Sequence, residues 1–183
     1  MTIINKKDFP YRNFIKDTFK LKKFKKKKLV SYPKIINFGL WYSLKYHWAE
    51  FMYYDTWKNE NEFKLKKKFH LYEIKFKYNS FTDLNNPSFD KILIIKTKKN
   101  LIKFCKKYMI EEPSVSSGSD YRLSQKANID WNKVVKDFGG IEITIIPSWA
   151  IRIGKYTSWY DSWDIPSGCI WNDQIIKKIT KIV

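Results

Sequence analysis

The sequence predicts an α+β fold: a mostly antiparallel sheet, or sheets, with flanking helices. Three observations carry that expectation. Phe69 to Lys77 alternates at the strand period, with His70, Tyr72, Ile74 and Phe76 forming the more apolar side. Leu101, Phe104, Cys105 and Tyr108, and again Trp131, Val134, Val135 and Phe138, recur at the spacing of a helix buried on one face. The order of elements along the chain is helix, strand, helix, two strands, two helices and then strands. That order lacks the regular strand–helix alternation of a parallel sheet.

At 183 residues the chain is one domain, or a domain with an arm. We divide it into a basic N-terminal arm or helix over residues 1–30 and a single globular domain over residues 31–183. Hydrophobic content of 44% and aromatic content of 18% suffice for a sizeable core. No apolar run approaches the ~18 residues that a membrane helix needs, and the N-terminus lacks the apolar stretch of a secretory signal. Cys105, Cys169, His47 and His70 show no ligand spacing, so no structural zinc is expected. Reduced thiols fit an intracellular setting, host cytoplasm or the interior of a virion.

The formal charge of +18 creates a field that attracts nucleic acid or an acidic partner surface. Only Arg12, Arg122 and Arg152 among the 36 basic residues are arginines. Specific base or phosphate recognition leans on arginine forks, and lysine abundance also follows from an AT-rich genome. Residues 1–28 carry a net +9. Phe14, Ile15, Thr18, Leu21 and Phe24 give this segment a thin apolar stripe, so it reads as a basic amphipathic helix or as a disordered arm. Lys20, Lys22, Lys23, Lys25, Lys26, Lys27 and Lys28 are its candidate nucleic-acid-binding residues; a solvated helix end is the plainer reading.

Pro33 ends that segment. Asn37 to Ser43 is a short aromatic strand, in which Gly39 permits close approach of another backbone or a ligand. Leu44 to Trp57 reads as a helix with Leu44, Trp48, Phe51 and Met52 on one face. Lys58 to Lys68 reads as a charged, polar loop, and Ser80 to Ser88 as a loop. Lys91 to Lys96 is a central strand. Thr97 caps the helix that follows it, and Cys105 is a packed thiol. Glu111 to Ala127 reads as a mobile loop and candidate lid. Asp130 caps the next helix, and Gly139-Gly140 ends it. Ile141 to Ile146 is a strand with Ile141, Ile143 and Ile145 on one side and Glu142 on the other. Its acid is either a cleft residue or a solvent-facing group on an edge strand. Asp173 to Val183 forms a last helix or strand.

The densest stretch is Trp159-Tyr-Asp-Ser-Trp-Asp-Ile-Pro-Ser-Gly-Cys-Ile-Trp171. It reads as a strand, a tight turn at Ile165–Gly168 and a short strand from Cys169 to Trp171. Its rings either plug the core or stack on a flat ligand, with Asp and Ser to orient that ligand.

Three segments together resemble a group of small phage, bacterial and large-virus proteins that look similar to the ADP-ribosyltransferase-like fold. They are Gly39-Leu-Trp-Tyr-Ser43, Ile129-Asp-Trp131 running into Gly140-Ile-Glu-Ile143, and Trp163-Asp-Ile-Pro-Ser-Gly-Cys-Ile-Trp171. The resemblance implies two small sheets forming a cleft for NAD, a nicotinamide pocket near Tyr42 and Ser43, and a late acid that orients the ribose. It carries over Gly39, Trp41, Tyr42, Ser43, Trp163, Asp164 and Ser167 as cofactor-binding residues and Glu142 as the catalytic acid. The family's usual signature also includes a strand Arg or His, and no Arg lies near Gly39 in sequence. A carboxylate in a water-poor cleft would stabilise the positive charge that develops on the ribose. Glu142→Gln is therefore expected to abolish activity while leaving the fold nearly intact. The chain is then an active enzyme on a macromolecular target, or a scaffold that has lost the chemistry. The alternative is a non-enzymatic basic viral or virion protein that binds nucleic acid or an acidic partner.

Overall fold

A computed structural model describes residues 2–16, 19, 39–52, 57–59, 61–110, 128–145, 152–153, 156–157 and 165–183. The chain opens with β1 (Thr2–Asn5), a 3-10 turn at Lys6–Asp8 and β2 (Arg12–Lys16). Next come β3 (Leu40–Leu44), α1 (His47–Met52), β4 (Trp57–Asn59), β5 (Glu62–Leu65) and β6 (His70–Phe76). After β7 (Phe81–Thr82) and β8 (Ser88–Ile95) follow α2 (Lys98–Tyr108), β9 (Met109–Ile110), β10 (Asn128–Ile129) and α3 (Trp131–Asp137). The chain closes with β11 (Phe138–Ile143), β12 (Arg152–Ile153), β13 (Tyr156–Thr157), β14 (Ser167–Ile170) and β15 (Ile176–Lys181).

Eight strands form the main sheet in the order β15-β6-β2-β3-β14-β11-β8-β7. All pairs are antiparallel except β11 with β8 and β8 with β7. A three-stranded sheet, β1-β5-β4, and two short pairs, β9 with β10 and β12 with β13, complete the described strands. The α+β class and the largely antiparallel sheet therefore hold.

Strand alternation sorts the central residues into two cores. Ile141, Ile143 and Cys169 face α2 and α3, and pack with Leu101, Phe104, Cys105, Tyr108, Val134, Val135 and Trp171. The opposite face carries Phe14, Tyr42, Leu44, Tyr72, Ile74, Ile92 and Ile170. The sheet curls over this second face, and Trp48 of α1 also packs against it. Phe76 and Phe81, on the second and eighth strands of the order, bring their ring centroids to 5.5 Å. A third cluster, with Ile4, Phe63, Leu65 and Leu71, packs the small sheet and Ala49 of α1 onto the main one.

Local chemistry fixes the helix ends. The Thr97 hydroxyl accepts from the Asn100 amide at 3.1 Å, and the Asp130 carboxylate accepts from the Lys133 amide at 3.1 Å. Both match the caps expected from sequence. Leu101, Phe104, Cys105 and Tyr108, the inward positions expected for α2, are all buried. Trp171 buries its indole and donates Nε1–H to the Phe138 carbonyl at 2.5 Å.

Several expectations are corrected. Phe14 and Ile15 lie in β2, so the apolar stripe does not begin a helix there; β2 pairs with β3 and β6 in mid-sheet. Within residues 2–16, β1 and β2 thus pair with strands of the two larger sheets. The helix expected over Leu44–Trp57 is shorter, since Leu44 ends β3 and Trp57 begins β4. The loop expected over Lys58–Lys68 contains β5, whose Phe63 and Leu65 alternate inward. Short β7 lies inside the loop expected at Ser80–Ser88. Gly139 and Gly140 do not cap α3 but continue β11, where their missing Cβ atoms leave room for close neighbours. A Cβ at Gly140 would sit 2.9 Å from the Cys169 carbonyl oxygen. Ser167 and Gly168 are strand, not turn. Glu111–Ala127 and Trp159–Asp164 lie outside the described residues.

Phe104 touches both Tyr108, at 5.1 Å, and Trp131, at 6.2 Å between centroids, and is fully buried. Phe104→Ala is expected to lower the unfolding free energy by about 3–5 kcal/mol in urea titrations, with an unchanged slope. A loss below about 1 kcal/mol would show that α2 is not anchored through this ring.

Candidate functional site

One register row organises the centre of the main sheet. Glu142 on β11 lies opposite Gly168 on β14, and Gly168 lies opposite Tyr42 on β3. Gly168 has no side chain to fill the space between its neighbours. The Tyr42 ring occupies that space, and any Cβ at Gly168 would run into it. Crossing β14 in this way, the phenol reaches Glu142 and donates to Oε2 at 2.7 Å.

Arg12 completes the cluster. It sits at the start of β2 opposite Leu44, and its side chain turns to the same face as Tyr42. Nε donates to Glu142 Oε2 at 2.6 Å and Nη2 donates to Oε1 at 2.9 Å. The fork is bidentate, the strongest geometry an arginine offers a carboxylate. Glu142 is fully buried, while the Arg12 side chain keeps 22% of its exposure. The guanidinium carbon lies 4.5 Å from the Phe81 ring centroid and 4.9 Å from that of Tyr11, positions that favour a cation.

The electrostatics follow from burial and pairing. Burial opposes the Arg12 charge, but the hydrogen bonds and charge of Glu142 outweigh it and leave the guanidinium pKa raised. Burial first, then the Glu142 carboxylate, push the Tyr42 phenol well above its ordinary range. Burial alone does the same to the Cys169 thiol, one strand over. Glu142→Gln would leave the Arg12 fork facing a neutral amide, and breaking a buried pair from one side costs about 3–5 kcal/mol. On that ground Glu142→Gln is expected to lower stability as well as any activity.

Among the described residues, the fold joins Glu142 to Tyr42 and does not join Gly39, Trp41, Ser43 or Ser167 to them. Trp41, Ser43 and Ser167 alternate to the opposite face of the sheet. Trp41 packs against the α2–α3 core. Ser43 Oγ accepts from the Trp48 amide at 3.0 Å and so helps start α1. Ser167 Oγ donates to the Ile165 carbonyl at 3.0 Å. Gly39 adopts φ of 109° and approaches Ile170; a Cβ there would sit 2.5 Å from the Ile170 carbonyl oxygen. This is the close backbone approach expected at Gly39, made by a strand. The solvent-facing alternative for Glu142 is overturned, since β11 is an inner strand buried on both faces. Trp163, Asp164, Lys20, Lys22, Lys23, Lys25, Lys26, Lys27 and Lys28 lie outside the described residues.

Sequence reasoning missed Arg12. A signal was present: an arginine stands inside an otherwise lysine-rich segment, where only a planar fork serves. Among the described residues, no group of three or more His, Cys, Asp or Glu side chains could hold a metal ion, and no helix is long and apolar enough to cross a membrane. Comparison with protein-family models, curated proteins and solved structures gives no match.

The raised pKa values set a direction for pH dependence. The folded protein keeps the Cys169 and Tyr42 protons that the unfolded chain releases near 9.0 and 10.0. Between those ordinary values and the raised ones, the unfolded state binds fewer protons. Stability is therefore fully present below pH 9 and falls as pH rises beyond it, by about 1.4 kcal/mol per pH unit per group. Urea midpoints measured from pH 7 to 11 should be level at first and then decline. A flat profile to pH 11 would contradict the buried, protonated cluster.

Proposed function

We propose that the chain is an ADP-ribosyltransferase-like protein that uses NAD, with Arg12, Tyr42 and Glu142 at its site. One observation supports this reading above the others. Leu40–Ser43, Gly140–Ile143 and Ser167–Ile170, parts of the segments that carry the resemblance, lie in three adjacent strands, β3, β11 and β14, with Tyr42, Gly168 and Glu142 in one register row. The strand arginine that the resemblance calls for is supplied from β2 by Arg12. The donor set suits NAD: a cationic fork for the pyrophosphate, a carboxylate for the ribose, and the partly exposed Tyr11 and Phe81 rings for a flat base. Bound NAD would supply an ADP-ribosyl group through its nicotinamide–ribose bond. In this reading Arg12, whose side chain keeps 22% of its exposure, would hold the ligand's anion, and Glu142 would act on the ribose. Tyr42 holds its proton and keeps Oε2 oriented. Glu142 stabilises positive charge without itself taking a proton.

A second reading rests on the saturation of Glu142. Both of its oxygens accept hydrogen bonds and none of its surface meets solvent. On that ground the cluster is a structural lock, and the chain is a non-enzymatic basic protein, its +18 charge serving nucleic acid or an acidic partner.

Thermal shift with NAD and an assay of nicotinamide release divide the two. The first reading expects about 2.7 kcal/mol of stabilisation at 100-fold over the dissociation constant. It also expects turnover that Glu142→Gln lowers about 10²–10³-fold at a temperature where both proteins are folded. No NAD-dependent shift together with no turnover would remove the enzymatic reading and leave the lock.

A further inference from the structure

We infer that the outer face of α2, with the adjoining end of α3, is a docking surface for the sugar–phosphate backbone of duplex nucleic acid. It lies in the folded domain and is independent of the N-terminal lysines and of the NAD reading.

The helix is divided by chemistry. Its inner positions, Leu101, Phe104, Cys105 and Tyr108, are buried. Its outer positions include Lys98, Lys99, Lys103 and Lys106, all exposed, with Lys96 just before the cap. No acidic residue lies within the helix, and none occupies its first turn. α3 packs alongside, through Phe104 on Trp131 and the Tyr108 hydroxyl donating to Asp137 at 2.6 Å, and adds exposed Lys133 and Lys136. The acids of α3 are engaged: Asp130 caps the helix, and Asp137 accepts from Tyr108 and pairs with Lys107 at 3.9 Å.

This arrangement opposes helix stability. Lys99 and Lys103 are like charges four residues apart, and Lys103 and Lys106 are three apart. Lys98 and Lys99 lie in the first turn, where the helix dipole disfavours cations. Intrahelical acids would relieve both costs and are absent, so the charge is available to an external anion. The surface also selects among polyanions. Its two helices carry lysine point charges and no arginine within their own residues, which suits phosphate contact without base readout. The rings of α2 are buried, so it offers no platform on which single-stranded bases would stack. Its apolar face is committed to the core, so the outer face presents lysines rather than an apolar stripe to a lipid surface.

The test is fluorescence anisotropy of a labelled 20-base-pair duplex over a series of salt concentrations, using the full chain. The variant is Lys98→Gln, Lys99→Gln, Lys103→Gln and Lys106→Gln together. The charge-matched control is Lys66→Gln, Lys67→Gln, Lys177→Gln and Lys178→Gln, all exposed and on other elements. The α2 variant should lose at least about tenfold in affinity, and its log–log salt slope should shrink by about 0.9 for each phosphate contact removed. The control should lose less than about threefold. The α2 variant should also keep its helical circular dichroism and melt no lower than the parent, because it sheds like-charge repulsion. Equal losses in the two variants would overturn the proposal in favour of a diffuse field. An unchanged α2 variant would overturn it outright, and so would a loss confined to anionic vesicles or to a single-stranded oligonucleotide.

Discussion

A carboxylate placed at the centre of a sheet, away from water, is the constraint on which this structure depends. Ionised and alone, Glu142 would cost more than a domain of this size has to spare. Arg12 and Tyr42 remove that cost by saturating both oxygens, and each comes from a distant part of the sequence. The pairing therefore specifies position as well as energy. β2 must lie beside β3 for Arg12 to reach, and β14 must present a glycine for Tyr42 to cross it. A shift of one residue in any of these strands would send its member of the cluster to the opposite face.

The same cluster defines the functional question. A carboxylate, a cationic fork and aromatic rings are suited to a nucleotide, yet the carboxylate is occupied by the fork. A residue held this way is either a lock or a group released by a competing anion. The two differ in whether Arg12 has an alternative partner, since the Arg12 side chain alone of the pair retains exposure to solvent. Of its five N–H groups, two are committed to Glu142, and the exposed edge is where an external anion would meet it.

Much of the fold was legible because it rests on local chemistry. The caps at Thr97 and Asp130, the buried stripe of α2 and the strand at Lys91–Lys96 follow from short-range periodicity and hydrogen-bonding residues. The errors share a cause: short apolar runs flanked by lysines do not distinguish helix from strand. Phe14 and Ile15 pack on different faces of β2, and Phe63 and Leu65 face inward from a segment that reads as polar. Of the site, the strand alternation that turns Glu142 away from Ile141 and Ile143 was legible. The contact with Arg12 was not, since it spans 130 residues and depends on strand order, which no local pattern encodes. The grouping of Trp41, Ser43 and Tyr42 was misread because neighbours along a strand alternate between faces.

The central claim is that Arg12 and Glu142 stabilise the fold through each other. A double-mutant cycle with Arg12→Met, Glu142→Gln and the pair, followed by urea unfolding at pH 7, measures this directly. If the two act as one buried unit, either single variant should cost about 3–5 kcal/mol and the double variant little more than one of them. That outcome is a coupling of at least about 2 kcal/mol. Costs that simply add, with coupling under about 0.5 kcal/mol, would contradict the claim.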